Sequence, residues 1–538
     1  MTIPARLCQN FRDSRTGEWP TLVDLHPEWG PFGAPLFDGP EARSLARVGV
    51  IDIGSNSVRF VVFDGAARSP AYYFNEKILC GLGAEFAETG RLHSQGRVRA
   101  LSALTRFAVL ARAMDVSPLL TVATAAVRDA EDGPEFRAEV LAKTGLEIRL
   151  LEGSEEARLS AQGVLLGWPG AEGLICDIGG SSTELAEVLG SGVVGTRRTS
   201  DLGPLKLMGI KGGKKAIHTH IKDRVAALVA DFPTRPKRLF LVGGSWRAIA
   251  RVDMVRRDYP LRVLHEYRMT PKAIMATIKH IGETAPDALR AETGTSAERM
   301  RLVPLASLVL KELVRQLRPE EIAISSYGLR EGLLYDQMSH TLRHRDPLIE
   351  AARHGEASSA RQPGFGRALY RFVEPVFSGA RPDKKRLIRA ACLLHDVSWR
   401  AHPDYRAQVC FDNATRANLG GLTHGERVYL GLALLHRYKP SRSGTGFNTG
   451  LLELLPEAQV REAETLGRAM RFGAMFAVAN PVDHGQLKLR PKRRELILTL
   501  STEEGRNLFG EVALARFNAL ASALGVEPIV KGAQLTER

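Results

Sequence analysis

The sequence predicts an α/β protein built on a duplicated domain, followed by a helical region and a small α+β tail. The pattern D-I-G-x-x-S occurs twice, at Asp52–Ser57 and at Asp177–Ser182, each time between two short apolar runs that are typical of strands. Residues 347–485 have the apolar spacing of helices, and the tail alternates in strand fashion from Arg494 to Ser501 before one more helix. Together these observations predict the fold class.

Each signature predicts a strand, a tight turn and a second strand. The acid stands where the first strand ends, and the following glycine lets the backbone approach a ligand closely. Small polar residues beside consecutive backbone N–H groups form a concavity that suits phosphate oxygens. One copy would carry little weight, because short motifs often match by accident. Two copies in one context indicate a duplicated domain whose phosphate-binding loops face each other across a cleft.

The charge balance favours an anionic partner. The 538 residues include 74 Lys+Arg against 60 Asp+Glu, a formal net charge of +14. Nucleic acid, polyphosphate or an acidic membrane surface would each satisfy such an excess, although a basic surface that serves solubility is equally compatible with it. Aromatic side chains are sparse in the basic runs, which argues against nucleic acid.

The cysteines and the hydropathy predict a cytoplasmic protein without an integral membrane segment. The five cysteines are scattered and form no C-x-x-C pair, as expected of reduced thiols. No apolar stretch is long enough to span a bilayer, and the polar start does not resemble a secretory signal.

Five regions are predicted along the chain. Residues 1–45 form a loosely ordered extension, 46–160 and 161–340 the two related domains, 347–485 the helical domain, and 486–538 the tail. Within the first domain, Ser154 is predicted as the N-cap of a helix that runs toward Leu165, and residues 124–128 as a loop. The second domain carries a third glycine turn after a strand, formed by Gly243, Gly244 and Ser245.

Facing Gly/Ser turns with an acid at each strand end suit a phosphate chain and a magnesium ion that bridges phosphate oxygens. The P-loop motif G-x-x-x-x-G-K-[ST] is absent from the sequence. The two signatures, together with Glu155–Arg158 and Leu329–Tyr335, resemble the exopolyphosphatase / guanosine pentaphosphatase family of the actin, chaperone and sugar-kinase superfamily. The resemblance extends from about Arg47 to the C-terminus.

The resemblance implies two actin-like (ribonuclease H-like) domains flanking a cleft, an all-α HD-like domain and a small α+β C-terminal domain. It implies Mg2+-dependent release of the terminal phosphate from inorganic polyphosphate or of the 5′-phosphate from guanosine pentaphosphate, by a protein that forms a homodimer. The catalytic residues would be Glu156, as the base that orients water, and Glu184. The metal ligands would be Asp52, Asp177 and Glu184. The phosphate-binding residues would be Ser55, Asn56, Ser57, Arg128, Gly179, Gly180, Ser181, Ser182, Gly243, Gly244 and Ser245.

Helix geometry limits how many of the two adjacent acids, Glu155 and Glu156, can face the cleft. Glu155 and Glu156 are adjacent, so on a helix they point about 100° apart and cannot both face the cleft. The resemblance selects Glu156. The alternative is that both acids merely suit the positive end of a helix dipole.

Two positions depart from the family pattern. Ser181 replaces the third glycine of the second loop, where its side chain either adds a donor or crowds the phosphate. Trp246 follows the third loop, where relatives have a small residue. This indole either narrows a nucleoside pocket or packs in the core, and the core is the usual place for a Trp.

The helical region resembles HD-type metal phosphohydrolases in a degenerate form. His395 and Asp396 are adjacent, with His424 and His436 downstream, but Asn480 stands where an active enzyme often has Asp. We therefore expect a structural or binding role for this region. Two basic runs are either solvated faces or a route for a long anion: Lys211, Lys214 and Lys215, and Arg381, Lys384, Lys385 and Arg386.

The sequence as a whole favours an exopolyphosphatase. The alternatives are a guanosine pentaphosphate 5′-phosphohydrolase, a kinase of the same superfamily, which would need an acceptor pocket, and a non-catalytic regulator that binds polyphosphate or alarmone.

Overall fold

The computed structural model describes residues 47–65, 68–190, 192–443 and 447–532. These residues form two compact units, 47–345 and 346–532. The division falls between Arg345 and Asp346. The predicted extension 1–45 lies outside the described residues.

The first unit contains two mixed sheets that repeat one plan. In the first sheet the order is β3-β2-β1-β4-β5, with β2 antiparallel to both of its neighbours and β4 parallel to β1 and β5. Its strands are β1 (Gly49–Ile53), β2 (Ser57–Phe63), β3 (Tyr72–Leu79), β4 (Leu119–Ala123) and β5 (Arg149–Leu150).

In the second sheet the order is β10-β11-β9-β6-β7-β8, in which β7 is antiparallel to its neighbours and β9 is parallel to β6 and β11. Strands β8-β7-β6-β9-β11 thus repeat the first sheet, and β10 is an added antiparallel edge. This repeat is what the duplicated signature predicts. The strands are β6 (Gly173–Ile178), β7 (Thr183–Leu189), β8 (Val193–Ser200), β9 (Arg238–Val242), β10 (Arg268–Met269) and β11 (Glu321–Ile324).

Thirteen helices are described in this unit, and most of them cover the two sheets. They are α1 (Phe86–Thr89), α2 (Ser94–Ala113), α3 (Ala125–Asp129), α4 (Gly133–Thr144), α5 (Gly153–Gly167), α6 (Pro204–Met208), α7 (Gly213–Val229), α8 (Gly244–Arg256), α9 (Pro271–Glu283), α10 (Pro286–Thr293), α11 (Ala297–Leu317), α12 (Leu329–Gln337) and α13 (His340–Arg343).

Helix α5 lies in a hydrophobic core that includes residues of both sheets, and this core fixes its position. Leu159 and Val164 of α5 are fully buried in one cluster with Val50 of the first sheet and Phe240 of the second. The helix packs so closely on α12 that a Cβ at Gly332 would lie 1.8 Å from the Leu159 carbonyl oxygen. Glycine is therefore required at this crossing, and the residues at the start of α5 are held between the two sheets.

Two local expectations differ from the structure. Helix α5 begins at Gly153 with Glu152 as its N-cap, because the N–H groups of Glu155 and Glu156 both donate to the Glu152 carbonyl, so Ser154 lies inside the first turn. Residues 125–129, expected within a loop, form α3. The expected domain boundary after residue 160 falls within α5. The domain boundaries themselves stay a prediction.

The second unit is rich in helices and ends in a small sheet with the order β12-β13-β14. Helix α19 ends at Phe476. The helices are α14 (Pro347–Ser359), α15 (Phe365–Val373), α16 (Pro382–Leu394), α17 (Arg406–Arg416), α18 (His424–His436), α19 (Glu457–Phe476), α20 (Pro481–His484), α21 (Glu503–Leu508) and α22 (Glu511–Leu524). The strands are β12 (Gly485–Arg490), β13 (Glu495–Leu500) and β14 (Glu527–Lys531), and 3-10 turns occur at Glu374–Phe377, Thr449–Leu454 and Pro491–Arg493.

An α+β tail is thus present as predicted, whereas the HD-like character of the helical part stays a prediction. The cysteines in the described part of the chain are Cys80, Cys176, Cys392 and Cys410, all buried free thiols. Within the described ranges, no helix has the length and apolar character needed to cross a membrane.

Candidate active site

The two signature loops meet. The hydroxyl oxygens of Ser55 and Ser181 lie 2.9 Å apart, within hydrogen-bond distance. Each turn is closed by the same backbone bond, from Gly54 N to Ser57 O at 3.0 Å and from Gly179 N to Ser182 O at 3.0 Å. The repeated sequence therefore folds into repeated turns, and these turns face each other as predicted.

The strand register sets a row of polar side chains beside each loop. In the second sheet Asp177 stands opposite Glu184, and Glu184 opposite Thr199. In the first sheet Asp52 stands opposite Arg59. Residues directly opposite in antiparallel strands share one face of the sheet. The two lobes have therefore diverged at one equivalent position, where the second lobe has an acid and the first a cation.

Helix α5 adds two side chains to the acid row of the second lobe. The first is Glu156, whose residue surface is 8% exposed, against 4% for Glu184 of β7. The second is Ser160. One turn further along α5, the Ser160 hydroxyl donates to Asp177 Oδ2, as expected for side chains four residues apart on one helix face. The predicted catalytic and metal-binding acids Glu156, Asp177 and Glu184 are thus brought together.

Burial and mutual repulsion raise the pKa values of these acids. For Glu156, burial is the larger cause and the negative charge of Glu184 the next. For Glu184, burial comes first and the charge of Asp177 second, while hydroxyl donors on Ser182 and Thr199 oppose the shift. Burial also raises the pKa of Asp177. Burial and repulsion therefore both favour the protonated forms of these acids, and a cation bound among them would oppose this shift.

Glu155 and Glu156 have opposite environments. Arg158 Nη2 donates to Glu155 Oε1 at 3.0 Å, and Arg149 also pairs with this carboxylate. The hydrogen bond from Arg158 lowers the pKa of Glu155, although burial opposes it. The expectation that the two acids of the pair diverge is therefore met in the geometry, and Glu156 is the one at the site.

Arg128 is the cation nearest to Glu156. Its Nη1 donates to Glu156 Oε1 at 3.0 Å and to the Leu151 carbonyl at 2.6 Å, and its Nε donates to Asp129 Oδ1 at 2.9 Å. Arg128 was expected to clamp a terminal phosphate. In the structure it holds the predicted base, and its guanidinium lies where it would also reach a group bound at Glu156.

The third glycine loop lies against Asp177. Gly243 has a φ of +116°, and a Cβ there would lie 2.6 Å from the Ile178 carbonyl oxygen and 3.2 Å from Asp177 Oδ1. Both the positive φ and the close approach require glycine. Gly244 begins α8 and Ser245 is buried in its first turn, so this loop joins the predicted site. Trp246 is fully buried in the core of the second lobe, the usual place for an indole.

Asp52 and its surroundings include residues that sequence reasoning missed. Arg330 Nη1 donates to Asp52 Oδ2 at 2.8 Å. The next residue, Glu331, accepts a hydrogen bond from Gly328 N at 2.8 Å and another from the Tyr72 hydroxyl. Arg330 belongs to the Leu329–Tyr335 motif, so the sequence did contain a signal that could have identified it as a site residue. Nothing in the sequence around Tyr72 indicated its contact with Glu331.

Asp177 and Glu184 suit a magnesium ion whose remaining coordination positions would be filled by water and substrate. Among the described residues, no group of three or more His, Cys, Asp or Glu side chains has the spacing of a metal site. Mg2+ usually takes one or two carboxylates and fills its remaining positions with water and phosphate oxygens. Asp177 and Glu184 offer such oxygen donors, and their raised pKa values show that a positive charge would be favourable there. Asp52, in contrast, is already paired with Arg330.

In the second unit, the adjacent His395 and Asp396 expected of an HD metal site are hydrogen-bonded to other protein groups. Arg361 binds Asp396 with two bonds, Nε at 2.8 Å and Nη2 at 2.6 Å, and the Tyr438 hydroxyl donates to the same carboxylate at 3.2 Å. His395 Nδ1 lies 2.8 Å from the Cys392 carbonyl oxygen, and burial lowers the pKa of this histidine. This arrangement supports a structural role for the His-Asp pair.

The two basic runs differ in their surroundings, and their role in binding an anion stays a prediction. Lys211, Lys214 and Lys215 are exposed. The run before the His-Asp pair is partnered inside its own unit, by Arg381–Asp383, Lys384–Gln459, Lys385–Glu374 and Arg386–Asp346.

Comparison with known proteins relates the chain to a family of phosphatases. Residues 61–341 match the model of the Ppx/GppA phosphatase family, and residues 348–527 match the model named exopolyphosphatase, C-terminal. The chain is 28% identical over 315 residues to proteins named Exopolyphosphatase 1 from Mycobacterium bovis and Mycobacterium tuberculosis, which covers 54% of this chain and 87% of each relative.

Among solved structures, the chain is similar to the Ppx/GppA family member of Aquifex aeolicus, at 22% identity over 54% of this chain and 97% of that one, with a TM-score of 0.47. It is also similar to an exopolyphosphatase from Cytophaga hutchinsonii, at 20% identity over 55% of this chain and 99% of that one, with a TM-score of 0.49. Since the first family match covers residues 61–341 of 538, the chain belongs to the Ppx/GppA phosphatase family of hydrolytic enzymes.

Proposed function

We propose that the protein is an exopolyphosphatase that hydrolyses the terminal phosphate of inorganic polyphosphate with Mg2+ as cofactor. The observation that carries the proposal is the position of Glu156, a buried carboxyl between Arg128 and Glu184, in the same cleft as the two meeting loops. The names of the mycobacterial relatives support the choice of substrate.

Glu156 is the group that would orient the attacking water. Its Oε1 is held by Arg128, and the described residues supply no hydrogen bond to its Oε2. A water at Oε2 would pass its proton to this carboxylate as the oxygen attacks phosphorus, which is the task of a general base. Phosphoryl transfer otherwise needs positioning and charge neutralisation, and the loop N–H groups and hydroxyls of both signatures supply these for the phosphate oxygens.

Magnesium, held through Asp177 and Glu184, would offset the negative charge of the phosphate oxygens. Its positive charge would also keep Glu156 in the ionised form that a base requires, because it would oppose the repulsion that raises the pKa.

The test is to measure phosphate release from long-chain polyphosphate and from guanosine pentaphosphate side by side, with Mg2+ and with EDTA. We expect release from polyphosphate that depends on Mg2+. Release from guanosine pentaphosphate alone would assign the protein to the nucleotide reaction. Tight binding of polyphosphate without release from either compound would make it a binding regulator.

A further inference from the structure

Lys77, Arg247 and Arg299 come from β3, α8 and α11, and the third glycine loop links them to the acid cluster. Arg247 Nε donates to the Gly243 carbonyl at 3.1 Å, and Gly243 itself packs against Asp177. At the next residue, Gly244, a Cβ would lie 3.0 Å from Cζ of Arg299. The loop thus has a carboxylate on one side and guanidinium groups beside it.

Lys77 continues this cationic surface on the other lobe. It stands directly opposite Arg59, which stands opposite Asp52, so the three side chains share one face of the first sheet. Like charges directly opposite each other in antiparallel strands destabilise the sheet. A lysine at this position therefore costs stability when no anion is present.

The cations repel one another in the free protein. Burial lowers the pKa of Lys77, and the charges of Arg299 and Arg59 lower it further, while exposed Glu298 offsets only part of this. Burial lowers the pKa of Arg247 to about 10, with the charge of Arg330 as the next cause. Among the described residues, neither Lys77 nor Arg299 has a hydrogen-bond or ion-pair partner.

Arg299 is half-buried and has no partner among the described residues, which is unusual because a buried charge is normally paired. The contrast within this chain is informative. Lys385 and Arg386, which are also partly or fully buried, each have a carboxylate partner. Near the third loop, exposed Lys77 and half-buried Arg299 have no such partner among the described residues, which favours an anionic ligand at this place.

We propose that Lys77 and Arg299, together with Arg247, form a subsite for the phosphoryl groups that follow the terminal one in a linear polyphosphate. The inference rests on the proposed function and deepens it, because it makes the enzyme selective for chains of several phosphates. Guanidinium groups bind phosphate oxygens through paired N–H donors, and the lysine contributes a compact point charge from the opposite lobe. The chain would leave the acid cluster past the third loop.

The test uses Lys77→Gln and Arg299→Gln in the full-length protein, with long-chain polyphosphate and tripolyphosphate as substrates. Loss of one charge-assisted contact raises the KM for the long chain about tenfold or more. The KM for tripolyphosphate changes much less, because it has few groups behind the terminal phosphate. Lys279→Gln is the matched control, since Lys279 is 75% exposed, pairs with Glu283 at 3.7 Å and undergoes the same change of charge.

An unchanged KM for the long chain in both variants, or the same rise in the Lys279 control, would overturn the subsite. Thermal melting checks the fold, and Lys77→Gln should be at least as stable as the wild type because it removes a repulsion. Binding of polyphosphate to a Glu156→Gln background is measured separately. If the wild type releases no phosphate, the proposed function fails, while weaker binding by the Lys77 variant in that background still supports the subsite. If turnover is normal and the subsite variants bind polyphosphate unchanged, the subsite alone fails.

Discussion

Replacement of Glu156 by Gln should lower activity and raise stability together. Gln keeps the shape and still accepts the Arg128 bond, but it cannot take a proton from water, so phosphate release should fall about 10²- to 10⁴-fold. Glu155→Gln is the matched control, because Glu155 pairs with Arg149 and Arg158 outside the cluster. That variant should keep near wild-type turnover and lose at most about 1 kcal/mol of stability.

The stability gain follows from the raised pKa. Holding a carboxyl protonated at pH 7, when its ordinary pKa is 4.5, costs the folded state up to ~3 kcal/mol, at ~1.4 kcal/mol per pH unit. Relaxation and the shared repulsion with Glu184 reduce the gain on substitution, and we expect about 1 to 2 kcal/mol, of the order found when strained active-site residues are replaced.

The raised pKa of Glu156 also determines the direction in which the stability of the folded protein changes with pH. Between 4.5 and the raised value, the folded protein binds more protons than the unfolded chain, so its stability falls as pH rises through that window. The substitution removes part of this loss. In thermal melts without Mg2+, the Tm of Glu156→Gln should therefore equal that of the wild type near pH 4.5 and exceed it increasingly toward pH 8, by ~2 to 4 °C per kcal/mol.

Two results would refute this reasoning. A constant Tm difference across pH would mean that the carboxyl is not desolvated. Turnover above about a tenth of the wild type would remove Glu156 from general-base catalysis, which contributes at least ~10²-fold.

Three further predictions follow from the same contacts. Mg2+ should raise the Tm of the wild type, because a cation relieves the repulsion at Asp177, and Asp177→Asn should reduce this shift; no shift in the wild type would count against the metal site. Arg128→Gln should lower kcat/KM for polyphosphate about tenfold or more, with partial recovery in Arg128→Lys, because the loss leaves Glu156 without its charge-assisted donor; an unchanged kcat/KM would contradict the pairing. Metal analysis of the full-length protein should find no stoichiometric manganese or iron, because Asp396 is already paired with Arg361. A stoichiometric ion would instead support an HD-type metal site.

The parts of the site that lie on repeated local patterns were predictable. The D-I-G-x-x-S copies predicted two strand-turn-strand units, and closely matching turns formed because Gly54 and Gly179 make the same bond. The phase of a helix predicted that Glu155 and Glu156 diverge, although it did not say which one faces the cleft.

The start of helix α5 was predicted less well. Ser154 matches the preferred residue for an N-cap, but Glu152 holds that position because its carbonyl accepts the first bonds of the helix. Propensity for a cap is weak when packing of the helix decides where its first turn lies.

The cationic side of the cleft was missed because its members are single residues far apart in the chain. Strand register alone brings Arg59 and Lys77 together, and Arg299 joins them through the packing of the second lobe. One signal was present in the sequence. Arg59 follows Asp52 by the same interval as Glu184 follows Asp177, so equal hairpins would have placed a cation and an acid at equivalent positions.

Product analysis of long-chain polyphosphate in the first turnovers with Mg2+ tests the account most directly. The Ser55 and Ser181 hydroxyls lie within hydrogen-bond distance, so we expect the two loops to hinder a chain from passing between them and the chain to present its end to Glu156. The account predicts orthophosphate as the first product, together with chains that are shortened stepwise from their ends. Fragments of intermediate length without orthophosphate, which internal cleavage would produce, would contradict it.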